Sequence, residues 1–241
     1  MSGTRLNKYI ASSGLCSRRK ADELIEQGQV MVNGKIIREL GFIVGEKDKV
    51  FVDKKLVHPV KLEYYRFYKP AGYITTCDDE KGRKTIYDLL PEKLLGLKPV
   101  GRLDKDSTGL LILTNDGDLI NSLTHPSVKV PKLYLVGVDS QVKKSELEEM
   151  AQGIELDGKM AYADIEVLEL DSSHTYMQIT LYQGMNRQIR RMFEHFGYTV
   201  KSLKRVQHAT LTLDGLKRGE FKPIKPVQIR ELKNFLNRIS G

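Results

Sequence analysis

Cysteine is nearly absent from this 241-residue chain. Two occur, Cys16 and Cys77, far apart and without C-x-x-C spacing, so nothing suggests a disulfide framework or a zinc knuckle. They read most simply as reduced thiols in a cytosolic protein. No apolar run approaches the length that spans a bilayer, and Met1-Ser2-Gly3-Thr4-Arg5 has no apolar signal core. The sequence therefore predicts a soluble, cytoplasmic protein with no membrane partner. The five histidines include no pair at metal-ligand spacing. Low-complexity segments and internal repeats are absent.

What the chain does carry is positive charge: 39 Lys and Arg stand against 31 Asp and Glu, a formal net charge of +8. A balance of that sign favours a polyanionic partner. With 40% hydrophobic residues, the chain can bury a proper core, as one large domain or as a large and a small one. Leu6, Tyr9 and Ile10 stand at helical spacing with Gly14 as a stop. Ser17 is placed to cap a second helix that turns Ala21, Leu24 and Ile25 inward and ends at Gly28. Asn33-Gly34 lies between Val30-Met31-Val32 and Lys35-Ile36-Ile37, which predicts a two-residue hairpin because both central positions need positive φ. A further strand is expected at Val50-Phe51-Val52.

Lys8, Arg18, Arg19 and Lys20 cluster around the gap between the two helices, near a helix N-terminus whose free N–H groups favour phosphate. The stretch from Arg5 to Lys35 reads R-L-N-K-Y-I-A-x-x-G-x-x-S-R-R-x-A-D-x-L-I-x-x-G-x-V-x-V-N-G-K and resembles the S4 domain, an RNA-binding module. That resemblance implies RNA backbone contacts from Arg5, Lys8, Ser17, Arg18, Arg19 and Lys20. Pro59 interrupts any regular element, so residues 1–60 are expected to form this small domain and residues 61–241 a larger one.

The run Gly101-Arg102-Leu103-Asp104-Lys105-Asp106-Ser107-Thr108-Gly109-Leu110 is the most informative in the chain. It sets an aspartate on a short polar loop that leads into the apolar run Leu110 to Leu113, closed by Thr114-Asn115-Asp116-Gly117. Such a run predicts a buried strand ended by a turn, and a carboxylate on a loop held by a packed strand is well placed for catalysis. A surface turn with two solvated aspartates is the plainer alternative. A metal site built on Asp104 and Asp106 lacks further ligands elsewhere. A calcium loop would need ligands where Thr108 and Asn115 stand.

Strands are also expected at Tyr64–Tyr68, Leu133–Val138, Ala163–Leu170 and Thr175–Tyr182. Met177, Ile179 and Leu181 alternate with polar neighbours in the last. Alternation of such runs with short helices predicts an α+β fold with a mixed, mostly antiparallel sheet. Lys69-Pro70-Ala71-Gly72 reads as a turn. Lys132 and Tyr134 share one face of a strand. Asn186 is placed to cap a helix with the apolar stripe Ile189, Met192, Phe193 and Phe196, stopped by Gly197. Within it Arg190 and Glu194 are four apart, the spacing of an exposed ion pair. Lys201, Lys204 and Arg205 add charge beside it. Val227 to Ile239 places an apolar stripe on one side, predicting a closing helix.

Taken together, G-R-L-D-x-D-[ST]-x-G-L at Gly101–Leu110, K-P-x-G at Lys69–Gly72, K-x-Y at Lys132–Tyr134 and Q-G-x-N-R-Q-I-R-R-M at Gln183–Met192 resemble the pseudouridine synthases that modify ribosomal RNA, the RsuA and RluB/RluF group. The resemblance implies that Asp104 is the catalytic aspartate, Tyr134 the active-site tyrosine that stacks on the target base, and Arg190 the active-site basic residue. A buried Arg190 beside Asp104 would keep that carboxylate ionised. Arg102, Lys132, Arg187 and Lys204 become expected RNA contacts. The implied reaction needs no cofactor and no metal, the implied partner is ribosomal RNA, and a monomer is the default. Gln183 to Tyr198 looks most like the RluF-type branch acting on large-subunit (23S) RNA, whereas Asp78 to Thr85 is closer to other branches. The alternatives are a small-subunit (16S) target, or a non-catalytic RNA-binding assembly factor that uses only the S4-like unit and the basic charge.

Overall fold

The computed structural model of the chain describes residues 3–76 and 79–240. Cys77 and Asp78 lie outside the described residues, as do Met1 and Ser2. The chain divides into two compact units, one made of Met1–Glu63 with Asn115–Gly117, the other of Tyr64–Thr114 with Asp118–Gly241.

The first unit opens with helices α1 (Leu6–Ser12) and α2 (Arg18–Glu26). Ser17 caps α2 as expected, its Oγ accepting from the Lys20 N–H at 3.2 Å. Strands β1 (Val30–Val32), β2 (Lys35–Ile37), β3 (Val50–Val52) and β4 (Lys55–Val57) form an antiparallel sheet in the order β2-β1-β3-β4. The β1–β2 turn carries φ of 49° at Asn33 and 83° at Gly34, the positive pair that this hairpin requires. Leu6, Ile10, Ala21 and Ile25 pack on Val30, Val32, Val50 and Val52. Each of the larger side chains contributes about 1.5–3 kcal/mol of burial, which gives this unit a core of its own.

The second unit is built on a nine-stranded sheet among the described residues. Its principal strands are β5 (Tyr64–Lys69), β6 (Thr108–Thr114), β7 (Lys132–Val138), β8 (Asp164–Leu170), β9 (Thr175–Leu181), β10 (Val200–His208) and β11 (Phe221–Pro223). They lie in the order β8-β9-β7-β10-β6-β5-β11, with short strands at the margins. Every principal pairing is antiparallel except that of β10 with β6. Helices α3 (Gly117–Thr124), α4 (Lys144–Gln152), α5 (Gln188–His195) and α6 (Pro226–Ser240) complete the unit. None of the described helices is long and apolar enough to cross a membrane.

The apolar run of β6 follows from its place at the centre of the sheet. Leu111 and Leu113 enter one core with Phe67, Val136, Met177 and Phe193, while Leu110 and Ile112 enter another with Leu119, Leu123, Leu232 and Leu236. A strand covered on both faces needs continuous hydrophobicity where a half-exposed one alternates. Strand β9 shows that alternation, burying Thr175, Met177, Ile179 and Leu181.

Two features depart from the sequence reading. Helix α5 begins after Arg187, which occupies the N-cap position with φ of 48° and no side-chain cap bond, so Asn186 does not cap it. The stretch Val200–His208 is a central strand, although its charged and polar residues break every simple alternation. Its burial pattern is irregular for a local reason: its register against β7 shifts between Leu133, opposite Gln207, and Tyr134, opposite Arg205. The extra residue, Val206, makes a bulge, and bulges re-aim the side chains around them.

Candidate active site

The loop carrying Asp104 is pinned from several sides. Thr75 Oγ1 donates to the Leu103 carbonyl at 2.8 Å and accepts from the Leu103 N–H at 3.2 Å. Ser107 N–H donates to the Asp104 carbonyl at 3.1 Å, and Gly72 N–H to the Lys105 carbonyl at 2.8 Å. Beneath the loop lies Lys69, at the end of β5 and wholly inaccessible to solvent. Its Nζ donates to the carbonyls of Ser107 (2.9 Å), Asp104 (3.0 Å), Pro70 (3.1 Å) and Lys105 (3.4 Å). Burial pulls this ammonium down to about 8, with Asp104 and Asp106 pulling upward and Arg205 downward. The K-P-x-G segment, legible in sequence as a turn and as one of the motifs of the resemblance, therefore supplies the cation around which the loop is wrapped.

Gly109 ends the loop with φ of 112°, and a Cβ there would sit 2.2 Å from the Arg205 carbonyl oxygen. Only glycine lets β6 enter its parallel pairing with β10 at that point. In return Arg205, 2% exposed, donates from Nε to the Leu110 carbonyl at 2.8 Å.

A cleft of about 580 Å³ opens above the loop, within the range of small-ligand sites. Asp104, Arg102, Lys132, Tyr134, Arg187, Leu203, Arg205 and His208 all contribute to its wall. Tyr134 is buried in β7 and stands opposite Arg205 across the strands. The segment 183–188 forms another side of the cleft, held by two amides. Gln183 Oε1 accepts from the Tyr162 N–H (3.0 Å) and from Gln188 Nε2 (3.1 Å), and Gln188 Nε2 also donates to the Tyr162 carbonyl at 3.0 Å.

The cation facing Asp104 is not the one expected. Arg187 Nη1 lies 3.8 Å from Asp104 Oδ2, and Arg187 Nη2 lies 3.9 Å from Glu194 Oε1. Arg190 is buried but donates to the Val200 carbonyl at 2.8 Å, makes no ion pair with Asp104, and stands behind the cleft wall. The reason lies in the start of α5. The left-handed Arg187 turns its side chain back over the cleft, while Arg190, one turn further on, faces β10. Glu194 pairs with Arg187 in place of Arg190. The Asp104 and Arg187 side chains are 32% and 40% exposed, so their contact orients more than it stabilises, at about 0–1 kcal/mol.

Lys204 alternates away from the cleft, whereas Arg205 faces it. In the N-terminal unit Arg5, Ser17, Arg18, Arg19 and Lys20 are exposed and Lys8 is half-buried; Lys20 also pairs with Glu23 at 2.8 Å. Among the described residues, the one grouping of carboxylates and histidine close enough to share an ion is Glu169, Asp171 and His174, at the β8–β9 hairpin and outside the cleft.

Residues 63–195 match the RNA pseudouridylate synthase family, and residues 4–50 match the S4 domain. A ribosomal large subunit pseudouridine synthase B from Bacillus subtilis is 41% identical over 232 residues, covering 95% of each chain. The dual-specificity RNA pseudouridine synthase RluF of Escherichia coli is 38% identical over 244 residues, covering the whole of this chain and 82% of the relative. A crystal structure of a pseudouridylate synthase superposes with a TM-score of 0.69 at 31% identity, over 95% of this chain and 99% of the other.

Proposed function

The chain belongs to the RNA pseudouridylate synthase family and carries an S4 domain, and from that premise we propose that it converts one or more uridines of large-subunit ribosomal RNA to pseudouridine. The observation that carries the site assignment is Asp104, a carboxylate on a loop fixed by a buried ammonium, facing a cleft that also holds Tyr134 and Arg187. The large-subunit target is supported by the Bacillus subtilis relative, whose name states that substrate.

The reaction breaks the N1–C1′ glycosidic bond and forms C5–C1′ on the same base. C5 loses a proton and N1 gains one, so atoms and electrons balance without a co-reactant. Asp104 is the group that acts at the ribose, and it must be ionised to do so. Arg187, 3.8 Å away, orients the Asp104 carboxylate toward the cleft. Tyr134 offers a flat surface on which the detached base can turn without escaping. Arg190, tied to β10 through Val200, sets the position of α5 and so of Arg187.

Reaching this cleft requires the uridine to leave its stack, at about a few kcal/mol. Phosphate contacts by Arg5, Lys8, Ser17, Arg18, Arg19 and Lys20 in residues 1–60, and by Arg102 and Lys132 in residues 61–241, offset that. An enzyme acting on ribosomal RNA works where ribosomes are made, in the cytoplasm.

The test is to incubate purified protein separately with unmodified large- and small-subunit ribosomal RNA, with and without chelator, and to map pseudouridine. Conversion in the large-subunit RNA, unaffected by chelator, is the expected result. Conversion only in the small-subunit RNA would refute the target, and no conversion of either would refute the reading of this chain as a ribosomal RNA enzyme.

A further inference from the structure

One end of the cleft holds three nitrogenous side chains that the reaction above does not use fully. Lys132, at the start of β7, is half-buried and donates to the Val130 carbonyl at 3.1 Å. Directly across the strands stands His208, 1% exposed, whose ring has only the Leu123 carbonyl of α3 to bond to. Arg205, 2% exposed, spends Nε on the Leu110 carbonyl and leaves Nη2 without a partner. In a regular strand residues 205 and 208 would face opposite ways. The bulge at Val206 brings both to the side of the sheet that carries Lys132 and Tyr134.

The chemistry of this corner is lopsided. Neither Lys132 nor Arg205 has a carboxylate within ion-pair distance among the described residues, and each is served only by a backbone carbonyl. Buried charges are ordinarily paired, and a buried donor left without an acceptor is destabilising. The groups also repel one another: burial first and Arg205 second pull the Lys132 ammonium down to about 8. Burial, then Arg205 and Lys132, hold the His208 imidazole well below its ordinary value, against the Leu123 carbonyl of α3. No acid acts on either. The missing partner must be an anion that arrives with the substrate, and in RNA the only formal negative charge is the phosphodiester.

We infer that Lys132, Arg205 and His208 form a binding site for one phosphodiester of the RNA, close to the reactive uridine. Lys132 makes the direct contact at the cleft surface, Arg205 supplies charge from the wall behind it, and His208 lines that wall as a neutral ring that can take up a proton when the anion arrives. The site rests on the assignment of RNA as substrate. It would hold the backbone at a fixed distance from Asp104, because Arg205 and the Asp104 loop are locked together through Gly109 and Leu110.

The experiment has two arms. In the first, protein with isotopically labelled histidine is titrated with inorganic phosphate, and the His208 ring signal, assigned from its loss in His208→Gln, is followed. A phosphate beside the ring lowers the repulsion that keeps it neutral, so the signal should move toward the protonated form in the wild type. Lys132→Gln should weaken that response about tenfold. In the second arm, RNA stem-loops carry an uncharged methylphosphonate in place of one phosphate, walked from two nucleotides before the uridine to two after it. One position should lower wild-type affinity about tenfold or more and leave Lys132→Gln or Arg205→Lys nearly indifferent, the signature of a coupled pair. Both variants are first shown to melt cooperatively, and the lysine variant of Arg205 keeps the charge should the glutamine at 132 disturb the strand. Equal losses in wild type and variants at every linkage would overturn the site. So would a His208 response to inorganic phosphate without coupling at any linkage, which would make it an adventitious anion pocket. A coupled linkage on RNA that never yields pseudouridine would instead keep the site and refute the proposed reaction.

Discussion

Replacing Lys69 with methionine should separate the holding of the catalytic loop from the holding of the fold. The substitution keeps the length and apolar character of the stem and removes the ammonium, so two opposing quantities decide the outcome. Burial brings the Lys69 pKa from 10.5 to about 8, and at about 1.4 kcal/mol per unit the charged form carries a penalty of about 3 kcal/mol that methionine relieves. Against this, the carbonyls of Asp104 and Lys105 keep their bonds from the Ser107 and Gly72 N–H groups, whereas those of Pro70 and Ser107 lean on Lys69. Two buried acceptors left without a donor cost about 2–6 kcal/mol together. Global stability should therefore change by no more than about 2–3 kcal/mol. The loop loses its central tie, however, and small misplacements of a catalytic group can reduce turnover about a hundredfold. Urea unfolding and single-turnover pseudouridine formation measure the two effects. Linkage supplies a further check. With a folded pKa below its unfolded value, Lys69 binds fewer protons folded than unfolded between about pH 8 and 10.5. Wild-type stability must then rise relative to Lys69→Met across that window. Wild-type turnover in Lys69→Met, or a stability difference that falls with pH there, would refute the reasoning.

Asp104→Asn should abolish product while leaving RNA affinity within a few-fold, since the amide keeps the shape and loses the charge; appreciable turnover would remove Asp104 from its role. Arg187→Ala should lower single-turnover rate with little effect on melting, because its pair with Asp104 is half-exposed and contributes about 0–1 kcal/mol. Arg190→Ala should behave differently, losing about 1–3 kcal/mol of stability with the buried bond to the Val200 carbonyl; a fully stable Arg190→Ala would contradict that. Removing residues 1–60 should leave a folded remainder with its own two cores. Its RNA binding should be weaker and its log-affinity slope against log salt shallower by about 0.7–0.9 for each phosphate that the N-terminal unit had neutralised. An unchanged slope, measured by filter binding at several salt concentrations, would take RNA binding away from that unit.

What can be read from sequence, and what cannot, divides along the range of the interactions concerned. The Asn33-Gly34 turn, the Ser17 cap and the apolar strand at Leu110–Leu113 are set by neighbours within a few residues, and each stands where the pattern places it. Asp104 is legible because its loop is written as one continuous run. The errors fall where a residue's meaning depends on a distant strand. Arg187 and Arg190 are three apart, the first the N-cap of α5 and the second within it, and only the left-handed turn at Arg187 decides which of them faces Asp104. Lys69 reads as part of a turn because the carbonyls it serves at 104, 105 and 107 lie more than thirty positions away.

His208 gives no signal at all in the sequence. Its side chain reaches the cleft wall because strand Val200–His208 is bulged at Val206, and that bulge exists only against β7. The same strand sets Arg205 in a run of charges with Lys201 and Lys204, and nothing in that run marks it as buried. Gly109 is the one position that discloses it. A glycine fixed between a polar loop and a buried strand asks what comes so close that a methyl group cannot fit, and the answer is the backbone of Arg205. Gly109→Ala should accordingly disturb β10 as well as the loop it ends. With the added Cβ 2.2 Å from the Arg205 carbonyl oxygen and φ at 112°, the two strands must separate or the loop must re-form. Turnover and the His208 ring signal should change together in that variant. A Gly109→Ala protein with normal turnover and an unmoved His208 signal would show that the loop and the buried basic corner are independent, against the coupling argued from their shared backbone.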